Sequence, residues 1–308
     1  ITFTRFILLI VMACFSGLFA GSLVYSLIML FQGVLSDLDT ALFLKSVLGS
    51  GAAIVGLSVI AASPLGDRIA ALFFPIRKMS LRDEEKINPV VERIQKIYRQ
   101  KHGRDIKIRV FVMDMPHING IALGRETVAV STGLLKAASE EEIASILAHE
   151  AGHLHNGDGF FNMALIAASY PTLFLNNLLK NMIFFGPKPR WFPASGQDFG
   201  WMMGMFTFLM ALLFFAYFIF FWVLSIPVLW LLRSVEFFTA WPIEYRADRF
   251  AMELGFGPPM IELFERIEDE DVRGATGFLA KYLYSHPPTA LRIDRIERAL
   301  GASAESAA

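Results

Sequence analysis

The feature that most limits how this chain can fold is a set of long uncharged stretches. Trp201 to Leu232 carries no Asp, Glu, Lys or Arg, and Phe6 to Leu35 and Ser46 to Gly66 are also uncharged. A membrane-spanning helix needs about 20 predominantly apolar residues. In hydrocarbon the backbone must satisfy its own polar groups, so such stretches are restricted to helices. Of the 308 residues, 55% are hydrophobic and 29 are Phe, more apolar surface than a soluble domain of this length hides easily.

Phe6 to Leu35 is too long for a typical signal-peptide core and no clear cleavage site follows, so it reads as a first span. Ser46 to Gly66 is rich in Gly and Ala, which suits close packing on a neighbouring helix. With a short turn over 36–45, residues 1–66 are expected to form a transmembrane hairpin. Arg68, Arg77, Lys78 and Arg82 follow it closely, and the bias of Lys and Arg toward cytoplasmic flanks assigns residues 67–158 to the cytoplasmic side. Phe160 to Phe185 is apolar but interrupted by Pro171, Asn176, Asn177, Lys180 and Asn181. It reads either as a membrane helix facing a polar interior or as one lying at the interface. As a helix, Trp201 to Leu232 would be about 48 Å long against a hydrocarbon core of about 30 Å, so it should tilt, kink near Pro227 or continue beyond the bilayer. Residues 159–232 are thus the second expected hairpin, and the spans number about four.

Between the hairpins lies His149-Glu150-Ala151-Gly152-His153. Ser139 followed by Glu142 is a capping box, Glu140 to Glu142 suit a positive helix N-terminus, and Asn156-Gly157 is a stop signal, so 140–156 is predicted helical. Histidines four apart share one helical face and can converge on one ion. Zinc in catalytic sites takes three protein ligands and a water. Glu150, next to His149, is placed to reach that water rather than the metal. Cys14 is the sole cysteine, so neither an intramolecular disulfide nor a thiolate metal site is expected. A formal net charge of −1 gives no reason to expect nucleic acid as partner, and no Walker-type loop suggests a nucleotide.

Asn88 to Gly103 reads as an amphipathic helix carrying Val91, Ile94, Ile97 and Tyr98 on one face. Ile106 to Met113, Ile118 to Leu123 and Thr127 to Ser131 are strand candidates. A small sheet beside a metal-binding helix can offer an edge to an extended peptide, although plain core structure is the simpler reading of these strands. After the fourth run, Glu244 and Asp248 share a helical face. A carboxylate is a usual third ligand beside two histidines, and Asp248 would then orient a ligand histidine through its second ring nitrogen. The alternative is that both acids pair with Arg246, Arg249 or solvent. Two membrane crossings between His153 and Glu244 would return both to one side, whereas a single crossing would forbid a shared ion. His286, fixed before Pro287 and Pro288, is either an oxyanion donor or a surface histidine in a rigid turn. His155 is on a different helical face from His153 and reads as structural or solvated. Residues 233–300 thus form a second catalytic part, and the tail Gly301 to Ala308 is expected to be disordered.

With these residues in view, the chain resembles the HtpX-like membrane metallopeptidases, relatives of the CaaX prenyl proteases and the mitochondrial Oma-type proteases. The likeness rests on the two N-terminal spans, Asn119-Gly120-Ile121-Ala122-Leu123, Ser131-Thr132-Gly133-Leu134-Leu135, His149 to His153, Glu244-Tyr245-Arg246-Ala247-Asp248, and Ser285 to Ile293. The resemblance implies His149, His153 and Glu244 as ligands of one Zn2+ per chain, Glu150 as general base and Asp248 behind the ligands. It also implies Asn119, Gly120, Ile121 and Ala122 as a substrate-binding edge, His286 as an oxyanion or positioning residue, and Arg292 as structural. Gly120 stands where that family more usually has alanine, which predicts a looser edge.

The expected fold is α+β, mostly α: an integral membrane protein of about four transmembrane helices with a zincin-like metallopeptidase domain containing a small β-sheet. The expected function is ATP-independent zinc endopeptidase action on damaged or misfolded membrane proteins at the cytoplasmic face of the cell's inner (plasma) membrane. The partners are then polypeptide substrates and the lipid bilayer. Two rival readings are a CaaX-type prenyl-protein protease and a membrane scaffold whose zinc is only structural.

Overall fold

The structure, a computed structural model, describes residues 3–32, 39–73, 75–185, 240–267 and 287–307, with isolated positions between 216 and 234. It divides into two units: residues 1–6, 58–165 and 234–308 form one, and residues 7–57 and 166–233 the other. Among the described residues the architecture is mostly helical with one small sheet.

In the apolar unit, α1 (Phe3–Gln32) and α2 (Thr40–Ala61) are long helices. Among the described residues, Leu9–Met29 and Thr40–Ala61 are long and apolar enough to cross a membrane. The helices meet on small residues. A Cβ on Gly17 would lie 2.8 Å from the Cα of Gly51, and one on Gly21 would collide with the backbone of Val47. Without a hydrophobic effect between helices in lipid, such close backbone approach is what holds them together. The hydroxyls of Ser22 and Ser26 donate to the carbonyls of Leu18 and Ser22 at 2.7 and 2.8 Å, so neither needs an outside partner. The second helix begins at Thr40 rather than Ser46, taking Lys45 into its first turns. Helix α3 (Pro64–Phe73) follows. Helix α7 (Asp158–Phe185) is continuous through Pro171. The Trp201 to Leu232 run lies mostly outside the described residues; the positions described within it are helical, with Phe220 and Trp230 exposed.

In the other unit the sheet order is β1 (Ile76–Arg77), β2 (Arg109–Met113), β4 (Thr127–Ser131), β3 (Gly120–Leu123). Strand β4 pairs in parallel with β2, Val112 opposite Val130, and antiparallel with β3, Ile121 opposite Ala129. All five residues of β4 are buried, as a central strand requires, whereas among the described residues β3 pairs on one side only and leaves Ile121 exposed. The valines of β2 and β4 pack with Ile87, Val90 and Ile94 of α4 (Leu81–His102) and with Ile143 and Leu147 of α6 (Glu140–Asn156). Leu134 of α5 (Thr132–Ala137), Met260 and Leu263 of α9 (Gly257–Arg266) and Ile296 of α10 (Thr289–Ala307) complete the core. Residues 240–253 form α8.

Helix α4 starts two turns before the expected Asn88, because Ser80 and Asp83 make a reciprocal capping box further upstream. Residues 301–307, expected to be disordered, continue α10; the Ala-rich sequence there has high helix propensity.

Candidate active site

Helix α6 is fixed at both ends by its own sequence. The Ser139 side chain accepts from the Glu142 N–H while Glu142 Oε2 accepts from the Ser139 N–H at 2.7 Å, and Gly157 closes the other end at φ 73. Arg266 of α9 bonds the second oxygen of Glu142, anchoring this end to the core. Gly152 lets α8 approach: a Cβ there would stand 3.0 Å from the Cα of Ala247 and 3.1 Å from the Cβ of Phe250. That contact brings Glu244 over the two histidines.

The ligand atoms of His149, His153 and Glu244 all lie within 4.8 Å of one another. The two Nε2 atoms are 3.2 Å apart, and each is 3.5 Å from a Glu244 oxygen. Two imidazole nitrogens and a carboxylate are the kind of donor set zinc takes in catalytic sites. The donor set fits the ion.

Each histidine is held from behind by a carboxylate. Asp248 Oδ1 is 2.9 Å from His149 Nδ1, and Asp158 Oδ2 is 3.1 Å from His153 Nδ1. An acid at Nδ1 keeps the proton there and turns the Nε2 lone pair inward, the tautomer a metal ligand needs. Burial alone would lower both histidines. Bonds to Asp248 and Glu244 outweigh it at His149, and bonds to Asp158 and Glu244 outweigh it at His153, pushing His153 up to about 10. The negative charge that raises them also favours a divalent cation, which must displace protons to bind.

Arg292, expected to be structural, is a member of this cluster. Its Nε and Nη2 meet Asp248 Oδ2 and Oδ1 at 2.9 and 2.5 Å, Nη1 is 3.7 Å from Glu244 Oε2, and Nη2 is 3.3 Å from His149 Nδ1. The guanidinium carbon is 4.3 Å from the centre of the Phe264 ring. Burial would raise Asp248, but Arg292 and His149 hold it below the usual carboxylate range. Asp158, given no role by the sequence, also belongs here, and Arg246 Nη2 lies 3.2 Å from its Oδ1. The sequence signal for it is local: Asp158 directly follows Gly157, the residue that ends α6.

Glu150 is buried and faces β3. A Cβ on Gly120 would lie 3.0 Å from Glu150 Oε1 and 2.9 Å from Ile146 Cγ2. The missing methyl at Gly120 leaves room for the strand to lie close to α6. Asn119 donates its N–H to Ser131 Oγ at 3.0 Å, and Ile121 and Ala122 continue along the outer strand. His286 lies outside the described residues. His155 is apart from the site, its Nδ1 3.0 Å from the Tyr98 hydroxyl.

Residues 82–300 match the model of peptidase family M48. The chain belongs to this family, as an HtpX-like member. It is 31% identical to the protease HtpX of Shewanella halifaxensis over 219 residues, which is 65% of this chain and 71% of that one. It is also 31% identical to the HtpX homologue of Desulfotalea psychrophila over 207 residues, 61% of this chain and 66% of that one. Among solved structures it is similar to S. mikatae Ste24p, with a TM-score of 0.47 and 18% identity over 90% of this chain and 62% of that one. The matched segment of this M48 peptidase contains His149, Glu150, His153, Glu244, Asp248 and Arg292, and the family makes it a metalloprotease.

Proposed function

We propose that this M48 member is a zinc-dependent endopeptidase of the inner membrane. It would hydrolyse peptide bonds of damaged or misfolded membrane proteins at the cytoplasmic face without ATP. The observation that carries the reading is the meeting of His149, His153 and Glu244 on α6 and α8, with Glu150 beside them facing an open strand edge. His149, His153 and Glu244 would hold the zinc, which supplies a Lewis acid for the scissile carbonyl and an acidified water. Glu150 takes the proton of the attacking water and returns it to the leaving amine. Asn119, Gly120, Ile121 and Ala122 bind the peptide backbone as an added strand. Asp248 and Asp158 keep both histidines turned toward the ion. His286 is proposed to donate to the developing oxyanion.

Residues 1–66 and 159–232 are proposed as two transmembrane hairpins, 67–158 and 233–300 as the two halves of the catalytic part, and 301–308 as a terminal segment. Basic residues after the second span support the cytoplasmic assignment. A purely structural zinc is disfavoured by a donor set of three among the described residues, since structural sites are normally closed by four protein ligands.

The test is cleavage of an unfolded reporter by the detergent-purified chain and two variants. Glu150→Gln should keep zinc and lose at least about a hundredfold in rate, while Glu244→Ala should lose zinc. Full metal retention in the latter would sink the ligand assignment, and equal rates in parent and Glu150→Gln would sink the reaction.

A further inference from the structure

The turn joining β3 to β4 is held far more firmly than the end of an edge hairpin requires. It comprises residues 124–126, with Gly124 at φ 68. Hairpin turns normally lie in solvent and hydrogen-bond to water. Here a carboxylate from α3 is set into the turn. Asp67 is 2% exposed, and its Oδ1 and Oδ2 each accept the Arg125 N–H at 3.1 Å, Oδ2 also accepting the Glu126 N–H at 3.1 Å. Arg109 of β2 places Nη2 3.6 Å from Asp67 Oδ2. Arg125 reaches back, its Nε donating to the Ala62 carbonyl at 2.9 Å.

The turn is gripped from its other side too. A Cβ on Gly159, at the start of α7, would meet the Gly124 carbonyl oxygen at 2.5 Å and that of Ala122 at 3.4 Å. The Arg125 guanidinium lies 5.1 Å from the centre of the Phe160 ring. A carboxylate is costly to bury unless its acceptor sites are filled. Those of Asp67 are filled by the main chain at the end of the strand whose other end, Gly120, lies against Glu150.

We propose that Asp67 is a positioning residue for the substrate edge: by holding the 124–126 turn it fixes where β3 lies relative to Glu150, and so sets how well an extended peptide can pair there. The proposal rests on the reading of β3 as the strand that takes the peptide. Asp67 touches neither substrate nor ion. Its removal should therefore act on peptide binding and leave the metal alone.

The experiment uses the full zinc-loaded chain in detergent and the variants Asp67→Asn and Gly124→Ala. The first keeps the shape and removes the charge. The second attacks the same contact from the turn, since a methyl on Gly124 would collide with the Asp67 carboxylate and demand a left-handed backbone from alanine. Amide exchange should speed up over residues 120–127 and stay unchanged across α6, and zinc affinity by chelator titration should hold. With a quenched fluorogenic peptide long enough to line the strand, KM should rise roughly tenfold, as for lost hydrogen bonds to a charged group, with kcat within about threefold. Unaltered exchange in both variants would overturn the proposal, as would loss of zinc or a fall in kcat with KM unmoved. Failure of both variants to fold would overturn it equally, because a positioning role predicts a folded, zinc-loaded protein. If the parent cleaves no peptide, the functional reading fails, while the exchange measurement still decides whether Asp67 holds the edge.

Discussion

The two histidines of the candidate site are backed by carboxylate–arginine pairs that look alike and are built differently. Behind His149, Asp248 and Arg292 have side chains only 5% and 9% exposed, and Arg292 also approaches Glu244 and His149. Behind His153, Asp158 is 1% exposed but its partner Arg246 is 41% exposed. Water can take over from Arg246 and cannot easily take over from Arg292. A buried pair contributes little net stability when intact and costs much when one partner is removed, whereas a half-exposed pair costs little either way. The difference assigns Arg292 to the integrity of the site and Arg246 to its rim.

The largest effect should follow from breaking the buried pair. Arg292→Met removes the countercharge of Asp248 and should lower the stability of the metal-free chain by about 3–5 kcal/mol. Arg246→Ala should cost less than about 1 kcal/mol. Thermal unfolding of both variants in the same detergent checks this. Equal losses would erase the distinction between the two pairs.

Next in size is the effect of the acids on the metal. Replacing an outer partner of a ligand histidine typically weakens metal binding by about 10–100-fold. Asp248→Asn should lie at the upper end, since it also strands a buried guanidinium. Asp158→Asn should lie at the lower end, since Arg246 can turn to solvent. Competition with a chromophoric chelator measures both, and a larger loss in Asp158→Asn would reverse the ranking.

What is legible in the sequence follows the range of each signal. The helix bearing His149 and His153 is local in every respect: cap, ligand spacing and stop signal all fall between Ser139 and Gly157. Glu244 is legible through chemistry, because two histidines want a carboxylate. Arg292 is not legible as a site residue. It meets His149 across 143 positions, and nothing local separates it from Arg295, which stacks on Tyr245, or Arg298, which pairs with Asp294. Only packing of α10 against α9 decides which arginine turns inward. The start of α4 lies upstream of its apolar face, where the capping box of Ser80 and Asp83 sets it. The contact of Gly120 is not legible in the sequence, since it depends on Glu150 and Ile146 of another element.

The smallest effect lies at the opposite end of α6, where a third acid–arginine pair acts as a control. Glu142 is buried and Arg266 is 53% exposed, so this pair resembles the one behind His153. Burial would raise Glu142, but the Ser139 N–H and hydroxyl together with Arg266 hold it below its ordinary value. A depressed carboxylate adds stability that is fully present above its unfolded pKa of about 4.3 and is lost as pH falls through the lower folded value. Arg266→Ala should therefore cost under about 1 kcal/mol at neutral pH, and the gap to the parent should close on acidification below about pH 4. Melting curves of metal-free parent and variant between neutral and acid pH give the answer. A gap that widens in acid would mean that Arg266 acts through packing on α9 rather than through the charge of Glu142, and exposure of the arginine would no longer be the property that ranks the three pairs.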